Sequence, residues 1–234
     1  MTDRYILAID QGTTNTKVLL VNAEGAIIAK SSRSLSVRYP QPGWVEQDAE
    51  AIWWSVEQAI ADVMSSCPDG KIAAVAISNQ RESVVAWEQA TGKPIGPCVV
   101  WQCRRSTGLC NELRARGLEE EVRQRTGLTI DPMFAAGKAR WLLEHAKNGF
   151  RRAEQGELRL GTVDAWLLWN LTGGKVHACD ATNASRTQLM HIQELRWDER
   201  MLELYGIPRA ALPEIEPSSF IYGETQSVGR VPAG

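Results

Sequence analysis

Ile9-Asp10-Gln11-Gly12-Thr13-Thr14-Asn15-Thr16-Lys17 stands between two apolar runs, Tyr5 to Ile9 and Val18 to Val21. The flanks predict strands over residues 5–10 and 16–21, which makes the polar stretch the bend between them. Successive backbone N–H groups in a tight bend form an anion nest, and threonine hydroxyls add donors. Asp10, at the end of the first strand, suits a Mg²⁺ ion held directly or through its waters. Lys17 brings a positive charge toward the same place. The expectation is a phosphate that arrives with its cation. The plainer alternative is a hairpin turn with solvent-facing threonines, and the loop alone does not separate the two.

Working outward, Asn22-Ala23-Glu24-Gly25 is turn chemistry, and residues 26–30 predict a third strand. Two hairpins thus bracket the glycine loop, whereas in a dinucleotide fold that loop leads into a helix. Gly92-Lys93 is followed by proline and Gly174-Lys175 by valine, so no Walker A sequence is present. Asp48 is placed to cap a helix whose Ile52, Val56, Ala59, Ile60 and Val63 share one face, with Cys67-Pro68-Asp69-Gly70 as its stop. Residues 71–77 read as a fully buried strand of a parallel sheet. Residues 84–87 and 99–101 predict two more strands joined through Thr91-Gly92. Helical patterns cover 107–116, 135–146, 163–171 and 198–205, the last stopped by Gly206 and Pro208. The fold class expected is α/β, with a mixed sheet that begins as antiparallel hairpins and is flanked by helices.

At 234 residues the chain is one large domain, and 44% hydrophobic residues exclude disordered and fibrous classes. A net charge of −2 gives no basic field, so nucleic acid is not an expected partner. The apolar run at the start is too short for a signal or a membrane span, so no membrane association is expected and the expected location is the cytoplasm. Five cysteines, Cys67, Cys98, Cys103, Cys110 and Cys179, have neither the number nor the spacing of a disulfide or zinc framework. They are expected to be reduced small hydrophobes. His145, His177 and His191 are scattered and read as surface or core residues. Of the nine tryptophans, Trp53, Trp54, Trp141, Trp166 and Trp169 fall on predicted helices and read as structural.

A second candidate site is Ser78-Asn79-Gln80-Arg81-Glu82-Ser83, at the carboxyl end of the strand over 71–77. Open α/β sheets bind ligands there. Arg81 and Glu82 are adjacent, so in a regular strand they point to opposite faces; they share a ligand only where the chain bends out of the sheet. A donor and an acceptor side by side suit a polyol, and the alternative is a surface ion pair of little worth. Trp101, in Val99-Val100-Trp101-Gln102-Cys103-Arg104-Arg105, either stacks on a carbohydrate or belongs to the core.

Taken in order, Asp10-Gln11-Gly12-Thr13-Thr14, Pro42-Gly43-Trp44-Val45-Glu46, Asn79-Gln80-Arg81-Glu82, Val100-Trp101-Gln102-Cys103-Arg104-Arg105, Thr126-Gly127-Leu128, Asp131-Pro132, Gly161-Thr162-Val163-Asp164-Ala165-Trp166 and Thr182-Asn183-Ala184-Ser185-Arg186-Thr187 resemble the N-terminal domain of FGGY-family carbohydrate kinases, among them glycerol kinases most closely. The likeness runs from about Tyr5 to Gly234. It implies an actin-like ATPase fold of ribonuclease H type, with residues 1–234 as the polyol- and phosphate-binding domain and a C-terminal nucleotide-binding domain outside this chain. It further implies ATP with Mg²⁺, and glycerol or a related polyol or sugar as substrate; a homo-oligomer is compatible with it. By position Gly12, Thr13, Thr14, Asn15 and Lys17 would meet the nucleotide phosphates and Asp10 the Mg²⁺. Arg81, Glu82, Trp101 and the residue at Met133 would hold the polyol.

The chain departs from the resemblance in three places. Lys17 stands where glycerol kinases carry arginine, giving a point charge for a forked donor. Met133 stands where they carry a tyrosine whose hydroxyl helps to bind glycerol. Losing such a bond costs about 1–3 kcal/mol, which implies weaker glycerol binding or a related polyol or sugar as substrate. The family's general-base aspartate lies in a Gly-Asp-Gln segment that would follow Gly234, so this polypeptide alone is expected to be inactive. Beside the kinase reading stand a non-catalytic polyol-binding module and an actin- or chaperone-like assembly ATPase. The polar, tryptophan-bearing segment after residues 71–77 favours a polyol over assembly.

Overall fold

In the computed structural model, residues 4–66, 71–225 and 231–233 are described. The elements run β1 (Arg4–Gln11), β2 (Asn15–Val21), β3 (Ile27–Ser34), β4 (Glu46–Gln47), α1 (Ala49–Ser65), β5 (Lys71–Asn79), β6 (Val84–Glu88), β7 (Cys98–Val99), α2 (Thr107–Ala115), α3 (Glu119–Thr126), α4 (Ala135–Glu144), α5 (Gly149–Glu154) and β8 (Leu158–Thr162). There follow α6 (Val163–Leu171), β9 (Ala178–Asp180), α7 (Ala181–Ala184), β10 (Met190–His191), β11 (Arg196–Trp197), α8 (Glu199–Tyr205), β12 (Glu214–Glu216), β13 (Gly223–Thr225) and β14 (Val231–Ala233).

The main sheet has six strands in the order β13-β14-β5-β1-β2-β3. β1, β2 and β3 form the two expected antiparallel hairpins, with Asp10 opposite Lys17. The Asn22 side chain accepts from the amides of Glu24 and Ala26, and Gly25 takes φ +80°, which closes the second hairpin. α1 then carries the chain back so that β5 pairs in parallel with β1, Asp10 beside Ser78. Asp48 caps α1 by accepting from the Glu50 and Ala51 amides, and Ile52, Val56, Ala59, Ile60 and Val63 are all buried, as their spacing predicts. The expected stop at residues 67–70 lies outside the described residues.

The strand over 71–77 is not buried on both faces. Val75 is buried, while Ala76 and Ser78 on the opposite face are exposed and Ala73 falls at a bulge in the pairing with β1; β1 alternates likewise, with Tyr5, Leu7 and Ile9 buried against an exposed Ile6. α1 packs on β2 and β3 and α6 meets β5, and the Trp166 indole N–H of α6 donates to the Ala49 carbonyl at the start of α1 at 3.0 Å. Small and branched apolar residues on the other face made the run look buried throughout.

A second sheet, in the order β4-β7-β6-β8, continues from the far end of β5. Here the expected strand over 99–101 contracts to Cys98–Val99. Val84 pairs with Val99, but Trp101 has left the ladder, because its amide donates to the Ser83 hydroxyl instead. Trp87, fully buried, packs its ring against Trp166, Trp169 and His177. Trp54 departs from the structural reading: it is 58% exposed on the outer side of α1. Cys98, Cys103, Cys110 and Cys179 are free and buried, and burial pushes the Cys98 thiol up to about 12; Cys67 lies outside the described residues. Among the described residues no helix is long and apolar enough to cross a membrane.

Candidate functional site

Between β1 and β2 the loop closes on itself: the Gly12 amide donates to the Asn15 carbonyl at 2.9 Å. A Cβ on Gly12 would lie 3.2 Å from that same oxygen, so the close approach favours glycine. The Gln47 side chain holds the loop from below, donating to the Thr13 carbonyl at 2.8 Å. Thr14 is exposed, and Gly12, Thr13 and Asn15 are half-buried. Asp10 and Lys17 face each other across the hairpin at 3.9 Å, both more than half exposed, so their mutual attraction adds little and both remain available to a ligand.

The second segment does bend out of the sheet, as a shared ligand requires. β5 ends at Asn79, and Glu82 sits at φ +62°, left-handed backbone that a residue with a side chain rarely adopts. Gln80 ties this bend to the glycine loop. Its amide donates to the side-chain oxygens of Gln11 at 3.1 Å and Gln47 at 3.0 Å, and its own oxygen accepts from the hydroxyls of Thr13 at 3.2 Å and Ser83 at 2.9 Å. The Gln80 backbone amide adds a bond to the Gln11 carbonyl at 2.7 Å. Trp101 closes the circuit, its indole N–H donating to the Thr13 hydroxyl at 3.1 Å. The two stretches picked out in the sequence therefore open at one end of the sheet and share hydrogen bonds.

Arg81 and Glu82 take different surroundings. Arg81 is exposed at the rim of a cavity of about 240 Å³ between the ends of β5, α6 and α7, and among the described residues it forms no ion pair. Glu82 is only 9% exposed and accepts from Arg186 at 2.7 Å. Of the residues expected at the polyol, only Arg81 lines that cavity. Its other polar walls satisfy one another: the Asp164 carboxyl accepts from the Thr162 hydroxyl and the Asp180 amide, and Asp180 from Thr182, Asn183 and Ser218. Burial raises Asp164 to about 7, whereas hydrogen bonds outweigh burial at Asp180 and hold it below the usual carboxylate range. This is a structural knot beside the site.

Met133 is reached through Lys138, which the sequence does not single out, and Arg186, which it shows only as part of a motif. Arg186, paired with Glu82, has its guanidinium 5.0 Å from the centre of the Phe134 ring. Lys138, fully buried on α4, donates to the Met133 carbonyl, and burial pushes its ammonium down to about 7 against neighbours led by Cys103 and Glu82. The turn carrying Met133 thus stands on the same side as Glu82. Gln11, Gln47 and Gln80 were also missed as a group; their only local signal was a glutamine at the end of each of three strands.

Residues 5–234 match the profile of the "FGGY family of carbohydrate kinases, N-terminal domain". The chain is 48% identical over 227 residues to a glycerol kinase of Carboxydothermus hydrogenoformans, which covers 96% of this chain and 45% of that protein. It is 46% identical over 233 residues to a glycerol kinase of Klebsiella pneumoniae, covering 98% of this chain and 46% of the relative. The chain therefore spans just under half the length of these relatives. The crystal structure of Plasmodium falciparum glycerol kinase with ADP superposes with a TM-score of 0.94 at 30% identity, over 99% of this chain and 47% of that one. A gluconate kinase from Lactobacillus acidophilus shares the fold, with a TM-score of 0.87 at 23% identity over 98% of this chain and 47% of its own. The fold is the actin-like ATPase fold expected from the sequence, and the chain belongs to the FGGY family of carbohydrate kinases.

Proposed function

We propose that the chain supplies the polyol- and phosphate-holding part of a kinase that transfers the γ-phosphoryl group of ATP to a hydroxyl of glycerol or a related polyol or sugar. One observation carries this reading. Gln80 and Trp101 join the Gly12–Asn15 loop to the Arg81–Glu82 bend through the Thr13 hydroxyl, so an anion held by one stretch lies close to a hydroxyl held by the other. Transfer between the two needs just such proximity, since phosphoryl transfer relies on positioning and charge stabilisation rather than on covalent help from the protein.

The roles follow from the chemistry of each group. The loop at Gly12, Thr13, Thr14 and Asn15 faces the transferred phosphate, the Gly12 amide being kept for the Asn15 carbonyl, and Lys17 offsets the phosphate's charge. Arg81 donates to the polyol, Glu82 accepts from it, and the Trp101 ring and the Met133 side chain bound it. Asp10 fits a Mg²⁺ ion: an exposed carboxylate, only loosely engaged by Lys17, suits an ion that keeps most of its waters and takes its remaining oxygens from phosphate. Such an ion neutralises charge on the phosphate oxygens when bound.

The test is ADP release by the full-length protein with glycerol, erythritol and simple sugars. The expected result is polyol-dependent turnover that Glu82→Gln weakens by raising the polyol KM while leaving the KM for ATP in place. Turnover indifferent to every polyol overturns the reading.

A further inference from the structure

Two basic side chains stand behind the residues assigned to the polyol: Lys138, fully buried, and Arg186, engaged with Glu82. Arg186 donates through Nε to Oε1 of Glu82 at 2.7 Å, and in the described contacts Oε2 of that carboxylate keeps its acceptor capacity for a hydroxyl. Lys138 has its whole side chain inside the protein and donates a hydrogen bond to the Met133 carbonyl. The Met133 amide in turn donates to the Asp131 carboxylate at 2.8 Å, so both ends of that one residue's backbone are held. Two further bonds lock the pieces together: the Ala136 amide donates to the Thr187 carbonyl at 2.9 Å, and the Gln188 side chain to the Thr129 carbonyl at 2.5 Å.

A lysine is a poor filler for an apolar interior. Its ammonium must be stripped of water, and a methionine would occupy the same volume without that cost. What the ammonium does here that a thioether does not is grip a carbonyl on the turn that borders Glu82. The guanidinium does the matching work from the other side, clamping Glu82 while lying over Phe134, the next residue of the same turn. The strained backbone at Glu82 needs such a clamp, because left-handed conformations persist only where surroundings over-determine them.

We propose that Lys138 and Arg186 are positioning residues which fix the Glu82 carboxylate and the turn from Asp131 to Phe134 as one rigid wall of the polyol site. This rests on the reading that Glu82 and Met133 face the polyol. The wall sets the width of the site, and the two cations act only through the groups they hold.

The experiment is steady-state kinetics of the full-length protein with glycerol and ATP, comparing Lys138→Met, Arg186→Gln, the double variant and Glu82→Gln. Lys138→Met and Arg186→Gln each raise the glycerol KM about tenfold, the equivalent of one charged hydrogen bond, with the KM for ATP within about twofold of wild type. The double variant falls short of the hundredfold product, because both changes loosen one wall. Were the two residues merely structural, activity would track the folded fraction seen by circular dichroism, with kcat lowered and both KM values unmoved; that result overturns the proposal. Should Lys138→Met fail to fold, the rule is read on Arg186→Gln, and Lys138→Gln, which keeps a donor for the Met133 carbonyl, is expected to raise the glycerol KM by less than Arg186→Gln does; a larger rise overturns the proposal. Glu82→Gln separates the two levels. If it leaves the glycerol KM unchanged, the site reading fails; if it raises it while the Lys138 and Arg186 variants do not, only the positioning role is overturned.

Discussion

Replacing Gln80 by leucine tests the join between the two stretches of the site. Leucine matches glutamine closely in volume, so little cavity forms and the change isolates hydrogen bonding. Gln80 is 8% exposed, and its amide is the donor to the side-chain oxygens of Gln11 and Gln47, themselves 0% and 1% exposed. Leucine leaves both oxygens buried without that donor. Each costs about 1–3 kcal/mol, which sums to about 2–6 kcal/mol. The buried Ser83 hydroxyl also loses the acceptor for its proton, which adds to this cost, whereas Thr13 is half-buried and its proton can turn to water. Such a loss is a large fraction of the stability of an ordinary domain. Urea unfolding of wild type and Gln80→Leu, followed by tryptophan fluorescence, measures it as a shift in midpoint at unchanged slope. A loss below about 1 kcal/mol would refute the reasoning, since it would mean that the glutamine cluster is not what binds the loop to the bend.

Met133→Tyr restores a hydroxyl beside Glu82 and is expected to lower the glycerol KM of the full-length protein severalfold; an unchanged or higher KM counts against Met133 as a specificity residue. His177 supplies a pH signature. Its ring packs against Trp87 and Trp169, donates through Nε2 to the Leu160 carbonyl at 2.9 Å, and is pushed down by burial to about 3. The unfolded ring binds a proton below about 6.5 that the folded ring refuses, so its share of stability is present above that pH and is lost as pH falls toward 3. Between pH 6.5 and 4.5 the stability of His177→Phe should therefore gain on wild type by about 2–3 kcal/mol. Asp164, raised to about 7, gives an opposite slope between 3.8 and 7, but it is common to both proteins and cancels in the comparison. Parallel stability curves would show that the ring titrates normally.

The hairpins, α1 and the fold class were legible because their signals are local. Alternation in β1 and β2, the Asn22–Gly25 turn and the Asp48 cap each lie within a few residues of what they specify. α3 was not, since its eight residues are almost all polar and bury only Val122 and Thr126; three glutamates at its start and two arginines near its end were the sole cues. β8 was missed because Leu158-Arg-Leu-Gly-Thr162 becomes a strand only by pairing with β6, a partner far back in the chain. The site divided along the same line. The glycine loop and the bend at Arg81 and Glu82 announce themselves by composition. Lys138 lies in the predicted helix over 135–146 with no local sign that it is buried, since the carbonyl it donates to and the carboxylate near it are set by the fold. Arg186 was seen as part of a motif, but its partner Glu82 lies 104 residues away.

The Thr13 hydroxyl owns a single proton, and in this structure it is spent on Gln80. An anion arriving at the loop would compete for it, while the Trp101 indole, a donor, could stay where it is. Gln80 would then have to find a new partner on the side of the polyol. On the proposed reading, a phosphate at the loop and a polyol at the bend are coupled through that one hydrogen atom, and thermodynamic reciprocity then requires that whatever the first does to the second's affinity, the second does to the first's.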